Sequence, residues 1–325
     1  MVPGSYLDFE KPVIELEAKI RDMRDFAQGE NVEMTRELRL LERKLDKLKK
    51  ETFTSLSRWQ RVQLARHPLR PTTQDYIDRI TTDFISLHGD RGYGDDRALV
   101  GGPAMLGDRP VLMIGQQKGR TTKEKLANNF GMCHPEGYRK ALRLMKLAAK
   151  CGRPVVILID TPGAFPGIQA EERGQAEAIA RNLREMSLLP VPIVIAVIGE
   201  GASGGALGIG IGDRLLMMEN AWYSVISPEG CAAILWPGEA AANAPKAAEA
   251  LRVSAEDLNE MGLVDRIIPE PLGGAHRDPD ESATMLKATI LETLVELTPL
   301  PSADLLARRR GKYRNIGVYG EDETF

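Results

Sequence analysis

Val191-Pro-Ile-Val-Ile-Ala-Val-Ile-Gly-Glu-Gly-Ala-Ser-Gly-Gly-Ala-Leu-Gly-Ile-Gly-Ile-Gly212 decides how this chain is read. A run of β-branched residues predicts a buried strand, and the glycine cluster behind it predicts a tight passage into a helical turn. Such a junction removes side chains where helix-start N–H groups have no intrahelical acceptor, so the main chain can receive negative charge. Three readings compete. Gly199 to Gly204 matches the dinucleotide fingerprint G-x-G-x-x-G, with Glu219 about twenty residues on. Gly201-Ala-Ser203-Gly-Gly205 matches the hydrolase elbow G-x-S-x-G. The third reading is an oxyanion hole formed by the amides of Gly204, Gly205 and Ala206, with no side-chain nucleophile.

The dinucleotide reading fails on context. Gly205 to Gly212 is too short for a crossover helix before Arg214-Leu-Leu-Met-Met218 opens another strand. The elbow reading requires an acid and a histidine downstream of Ser203, and only His276 follows, with Asp265 as the nearest acid. The backbone-donor reading is therefore preferred.

The rest of the chain bounds the function class. Its 325 residues are 43% hydrophobic, enough for one large domain with accessory segments. A formal net charge of −3 argues against dedicated nucleic-acid binding, and no apolar run approaches a membrane span. The first ten residues resemble neither a signal nor a transit peptide. Cys133, Cys151 and Cys231 form no C-x-x-C pair and are expected to be small buried hydrophobes in a reducing compartment, so a cytoplasmic location and no metal site in this chain are expected.

Four regions are expected. Residues 1–55 carry a charged helical hairpin, broken at Gln28-Gly29, with Leu38, Leu41, Leu45 and Leu48 as an apolar stripe. Residues 56–108 form an extended, arginine-rich connector and a helix near Thr73–Phe84 that leads into the core. Residues 109–270 are the α/β core. Strands are expected at Val111–Gly115, Val155–Ile159, Val191–Ile198 and Leu215–Val225, with a helix over Tyr138–Ala149 and one long helix from Ala170 to Leu189. The strand starts lie roughly 44, 36 and 24 residues apart, which suits a spiral of shrinking β–α units. Residues 271–325 give a loop to Asp280, a helix over Met285–Val295 and a basic tail, Arg308 to Arg314.

Two further motifs border the same strand ends. Asp160-Thr-Pro-Gly163 matches the D-x-x-G switch of nucleotide hydrolases, and Gly115 to Thr121 follows a strand as a phosphate loop would. That loop is one residue short with Arg120 in the lysine position, and no Asn-Lys-x-Asp occurs, so nucleotide hydrolysis is excluded. What remains is a second glycine-rich strand end, containing Gly163, Ala164 and Phe165, facing the same crevice as Gly204. Lys118, Arg120, Lys123 and Lys125 form a basic loop that is either a solvated face or a seat for phosphates. His88-Gly-Asp-Arg91 with Asp95 and Asp96 reads as a turn, and His67, His88, His134 and His276 as structural.

Taken in order, these stretches resemble the alpha subunit of the bacterial and plastid acetyl-coenzyme A carboxylase carboxyltransferase. The resemblance rests on Leu7-Asp-Phe-Glu-Lys-Pro12 and its continuation to Ile20, His88 to Asp96, Gly115-Gln-Gln-Lys-Gly-Arg120 and Asn129 to Lys140. It extends through Asp160 to Gly167, Gly199 to Ala206, Ser227-Pro-Glu-Gly-Cys231 and Glu270 to Arg277. It implies a crotonase-like spiral of ββα units. It implies half of an active site, completed in an alpha2–beta2 heterotetramer by a beta subunit of the same fold that carries a zinc ribbon and binds acetyl-coenzyme A. The carboxyl group would come from biotin, attached to a biotin carboxyl carrier protein and charged by an ATP-dependent biotin carboxylase, and would yield malonyl-coenzyme A for fatty acid synthesis. On that reading Gly204, Gly205 and Ala206 receive the ureido oxygen of biotin. Gly163, Ala164 and Phe165 line the substrate cleft, and Lys118 and Arg120 are candidates for coenzyme A phosphates. A carboxyltransferase for another acyl-coenzyme A, and a Ser203 hydrolase, are the alternatives.

Overall fold

The computed structural model describes residues 6–30 and 35–317. Helices α1 (Lys11–Glu30) and α2 (Thr35–Thr54) pack as the expected hairpin, and Leu38, Leu41, Leu45 and Leu48 are half-buried while Arg39, Arg43 and Lys47 face water. The helix runs through Gln28-Gly29, so the expected break there does not occur. The hairpin is tied to the core through buried Glu10: His276 bonds it at 3.2 Å, and Arg277 reaches both Glu10 and Glu17. His67 stacks on His276 with ring centres 3.8 Å apart. Although donor atoms of Glu10, His67 and His276 lie within 4.8 Å of one another, the carboxylate already serves Arg277 and the Leu7 amide, and the two rings lie face to face. The cluster is a staple.

The arginine-rich stretch is not an extended connector. It forms α3 (Arg58–Ala65), started by a capping box in which Ser57 and Gln60 satisfy each other's amides. Its arginines turn inward to acids far along the chain: Arg58 to Asp257, Arg61 to Glu256, Arg66 to Glu200 and Glu229, and Arg70 to Glu270. Local sequence shows the charges and not their distant partners. After α4 (Thr73–Ile80), β1 (Leu99–Leu106) forms a tight antiparallel hairpin with β2 (Arg109–Gln116). Strand β1 lies in the region expected to be connector and entry helix, and its Gly101-Gly102-Pro103 lacks the apolar run that marked the other strands; Pro103 is tolerated because β1 is the terminal strand of the sheet.

The chain continues through α5 (Thr122–Ala127), α6 (Pro135–Lys150), β3 (Val155–Thr161), α7 (Ile168–Glu172) and α8 (Gln175–Met186). It then runs through β4 (Ile193–Ala202), α9 (Ser203–Leu207), β5 (Arg214–Met218) and β6 (Trp222–Ser224). Helices α10 (Pro228–Leu235), α11 (Ala240–Leu251) and α12 (Ala255–Glu260) precede β7 (Arg266–Ile268), and α13 (Pro279–Leu297) and α14 (Ser302–Arg314) close the described chain. The expected long helix over 170–189 is divided at Arg173-Gly174. The expected strand over 215–225 is two strands, parted by a turn at Glu219-Asn220. Cys133 is buried as expected, but Cys151 is exposed at the end of α6 and Cys231 is half-buried.

The sheet order is β1-β2-β3-β4-β5-β7, parallel from β2 onward, and β6 adds to the distal part of β4. Every residue of β3 and β4 is buried, which is why their sequences are unbroken apolar runs rather than alternating ones. Helix α6 packs on β1, β2 and α8, while α4 and α13 pack together and on strands of the same sheet. Among the described residues no helix is long and apolar enough to cross a membrane. The basic tail is not a tail: α14 lies against the core, with Arg309 fully buried on Asp213.

Candidate active site

The site lies where β2, β3 and β4 end. Strand β4 does not stop at the first glycine, as expected; it continues through Gly199-Glu200-Gly201 to Ala202. Beyond Val197 the ladder with β3 shifts: Ile159 faces Val197, yet Thr161 faces Gly201. The extra length on β4 is an irregularity of the kind found beside active sites, and it frees backbone groups from the ladder. Side chains take them up. Asp160 accepts the Glu200 amide at 2.9 Å, and Arg70 donates to the Ile198 carbonyl at 2.9 Å. Gly199 is required there, since a Cβ would stand 2.5 Å from the Asp160 carboxylate.

The chain then turns sharply into α9. Ser203 adopts φ +57°, a left-handed conformation unusual outside glycine, and is exposed. Gly204 and Gly205 are the second and third residues of the helix, so their N–H groups have no intrahelical acceptor. In an α-helix the first amide to find one is the fourth, here Ala206. The geometry therefore leaves Gly204 and Gly205 as the free donors of the expected trio. Gly204 is half-buried and its Cα faces open space apart from Ile179 at 3.5 Å, whereas Gly205 is clamped: a Cβ would lie 2.2 Å from the Gly163 carbonyl carbon. Gln116, fully buried, donates to the Gly205 carbonyl at 2.7 Å and accepts the Asp160 amide at 3.2 Å. Buried Asn182 holds the Gly208 carbonyl at 2.9 Å. Helix α9 is thus held at Gly205 from the end of β2 and, just past its own end, at Gly208 from α8.

The second glycine-rich loop meets the first. Gly163 and Ala164 form the wall against Gly205, and Phe165 donates its amide to Cys133 and stacks its ring on His134 at 4.2 Å. Beside them opens a cleft of about 440 Å³ lined by Arg66, Lys118, Lys125, Phe130, Met132, Pro162 and Glu200. Asn129 and Phe130 both take left-handed backbone (φ 46° and 56°), which costs conformational energy and sets Phe130 at the cleft, 45% exposed.

Sequence reasoning missed the electrostatics of this cleft. Lys118 does not lie on a solvated loop: its ammonium sits between Asp160, at 2.7 Å, and Glu200. Glu200 is also bonded by Arg66, which in turn holds Glu229 and lies over the Trp222 ring. Burial works to raise Glu200, but the charges of Lys118 and Arg66 overcome it and hold the carboxylate below its usual range. Burial prevails at Asp160, whose carboxyl is raised despite Lys118. Lys118 itself is raised, since its two acids outweigh its desolvation. Arg120 is exposed and paired with Asp75 at 2.7 Å, while Lys123 and Lys125 have no carboxylate partner among the described residues. The three misleading motifs each contribute one charge here: Lys118 from the phosphate-loop look-alike, Asp160 from D-x-x-G and Glu200 from G-x-G-x-x-G.

Ser203 has an elbow-like backbone but no base. Its hydroxyl has no hydrogen-bond partner among the described residues, and His276 is committed to Glu10 and His67. Ser203→Ala is expected to leave the protein's activity within about tenfold of wild type, because no general-base step depends on it. A loss on the scale of a missing nucleophile, measured in steady-state assays, would restore the elbow reading.

Residues 6–317 match the family described as acetyl co-enzyme A carboxylase carboxyltransferase-like. The acetyl-coenzyme A carboxylase carboxyl transferase subunit alpha of Chlorobium luteolum is 54% identical, covering 99% of this chain and 100% of its own. That of Methylococcus capsulatus is 56% identical over 98% and 99%. Among solved structures, transcarboxylase 12S superposes with a TM-score of 0.53 at 21% identity, covering 66% of this chain and 42% of that one, a likeness of fold. The chain belongs to the acetyl co-enzyme A carboxylase carboxyltransferase-like family and has its crotonase-type α/β fold.

Proposed function

We propose that this chain is the alpha half of a biotin-dependent acetyl-coenzyme A carboxyltransferase. With a beta subunit, in an alpha2–beta2 assembly, it would transfer a carboxyl group from biotin on a biotin carboxyl carrier protein to acetyl-coenzyme A, giving malonyl-coenzyme A. The observation that carries the reading is the pair of uncommitted amides at Gly204 and Gly205, in a turn held by buried Gln116 and packed against the Gly163–Ala164 loop. When bound, carboxybiotin supplies the carboxyl group and keeps the electron pair on its ureido group. This chain's part is to receive that charge. Donors fixed in advance need no reorganisation as charge develops, which is what makes such amides effective. The Gly163–Phe165 loop and the apolar faces of Phe130, Met132 and Pro162 would hold the ring and exclude water.

The structure also changes which cations suit coenzyme A phosphates. Lys118 would have to abandon two carboxylates and Arg120 one, so Lys123 and Lys125 are the available members of the basic loop. No histidine, serine or metal of this chain is needed for the step assigned to it. The test is reconstitution: this chain mixed with a beta subunit should form malonyl-coenzyme A from acetyl-coenzyme A and free carboxybiotin, and neither chain alone should do so. Full activity of the beta subunit by itself would end the reading.

A further inference from the structure

Three strand ends meet at the site, and four buried or half-buried charges join them. Lys118 follows β2, Asp160 is in β3, Glu200 is in β4, and Arg66 follows α3. These charges surround the place where β4 departs from its register with β3. Without help, that irregularity would leave the Glu200 amide unpaired in a buried setting, where water cannot replace the lost partner. The Asp160 carboxylate satisfies it, and Lys118 holds Asp160 and Glu200 together. Arg66 takes the other oxygen of Glu200. Three residues after Glu200 the chain makes the left-handed turn at Ser203, and the free amides follow directly. The direction in which Gly204 and Gly205 point is therefore set by how β4 ends, and β4 ends as it does because of these charges.

We propose that Lys118, together with Asp160, Glu200 and Arg66, is a positioning unit for carboxyl transfer: it locks the irregular end of β4 so that the α9 amides are aimed at the reacting oxygen. The proposal rests on the function given above and assigns Lys118 a role other than phosphate binding. A buried ion cluster is a poor source of stability, since desolvation offsets attraction; what this one does supply is a partner for the amide that the register shift frees. Misplacement of catalytic donors by about 1 Å costs on the order of a hundredfold in rate.

The experiment uses the reconstituted alpha–beta complex. Wild-type complex must first make malonyl-coenzyme A; if it does not, the functional reading fails and not the positioning proposal. In Lys118→Met, kcat is expected to fall by about tenfold to a hundredfold while KM for acetyl-coenzyme A stays within about twofold. Hydrogen exchange at the bonded amides of residues 206–208 should rise while the β2–β3 ladder keeps its protection. Should Lys118→Met not fold, Lys118→Met/Glu200→Gln, which removes one charge of each sign, supplies the same readouts. An unchanged kcat in a folded variant overturns the proposal. So does a rise in KM alone, which would make Lys118 a binding residue, and so does exchange that rises uniformly through the sheet.

Discussion

Gly204→Val should abolish most carboxyl transfer while the protein folds and assembles normally. The residue has helical, not left-handed, backbone, and an added Cβ meets nothing closer than the Ile179 methyl at 3.5 Å, an ordinary contact. Replacing glycine within a helix tends to stabilise the chain by roughly 0.5–1 kcal/mol in the case of alanine, so the variant carries no built-in folding defect. The side chain of a helical residue leans toward the helix N-terminus, so a branched one at 204 is expected to crowd the uncommitted amides of residues 204 and 205. Denying an oxyanion one preorganised donor costs roughly 3–4 kcal/mol, a hundredfold to a thousandfold in kcat. Gly204→Ala should fall between the two. The measurements are kcat in the reconstituted complex, thermal midpoint, and assembly by size-exclusion chromatography. A Gly204→Val complex with wild-type kcat would remove these amides from the mechanism.

Gly205 makes an unsuitable probe for the same question. Its Cβ would fall 2.2 Å from Gly163 and 2.5 Å from the Ala164 nitrogen, atoms of backbone that cannot step aside. Substitution there drives two loops apart, and a dead Gly205→Val enzyme would report lost packing as readily as lost charge stabilisation.

How much of this was legible in the sequence follows from the range of the forces involved. Strands β2, β3 and β4 were visible because full burial on both faces leaves an unbroken apolar run, a purely local signature. The hairpin stripe of Leu38, Leu41, Leu45 and Leu48 was visible through another local signature, one apolar face at helical spacing. Strand β1 was not, since Gly101-Gly102-Pro103 lacks an apolar run and only its pairing with β2 makes it a strand. The helix α3 was lost in a stretch of arginines, Arg58 to Arg70, whose carboxylate partners are 134 to 200 residues away. The glycine-rich turn after β4 was legible as a passage from strand to helix, because clustered glycines mark such a turn; its part as a donor is the proposal above. The ion cluster beside it could not, because Lys118, Asp160 and Glu200 each sit in a motif with a more familiar reading elsewhere. Only the fold brings them within bonding distance.

The largest stability effect is expected at the other end of β4. Arg309 of α14 is fully buried, and all its nitrogens are engaged: Nε and Nη2 with Asp213, Nη1 with the Met186 and Leu189 carbonyls, Nη2 also with the Val191 carbonyl, at 2.7–2.8 Å. Those carbonyls belong to the turn leading from α8 into β4, and Asp213 also accepts the Ile193 amide that begins the strand. One guanidinium thus satisfies three carbonyls of buried residues, Met186, Leu189 and Val191. Arg309→Met keeps the apolar stem but strands a buried carboxylate, a loss of about 3–5 kcal/mol by comparison with other broken buried pairs. For a chain of this size that corresponds to a fall in Tm on the order of 10 °C. Arg309→Met/Asp213→Asn should recover part of it, because the unpaired charge is gone while the carbonyls remain unserved. The check is thermal and urea unfolding of the three proteins under one condition. If Arg309→Met unfolds within about 1 kcal/mol of wild type, α14 is an appendage on the surface and not part of what sets the start of β4.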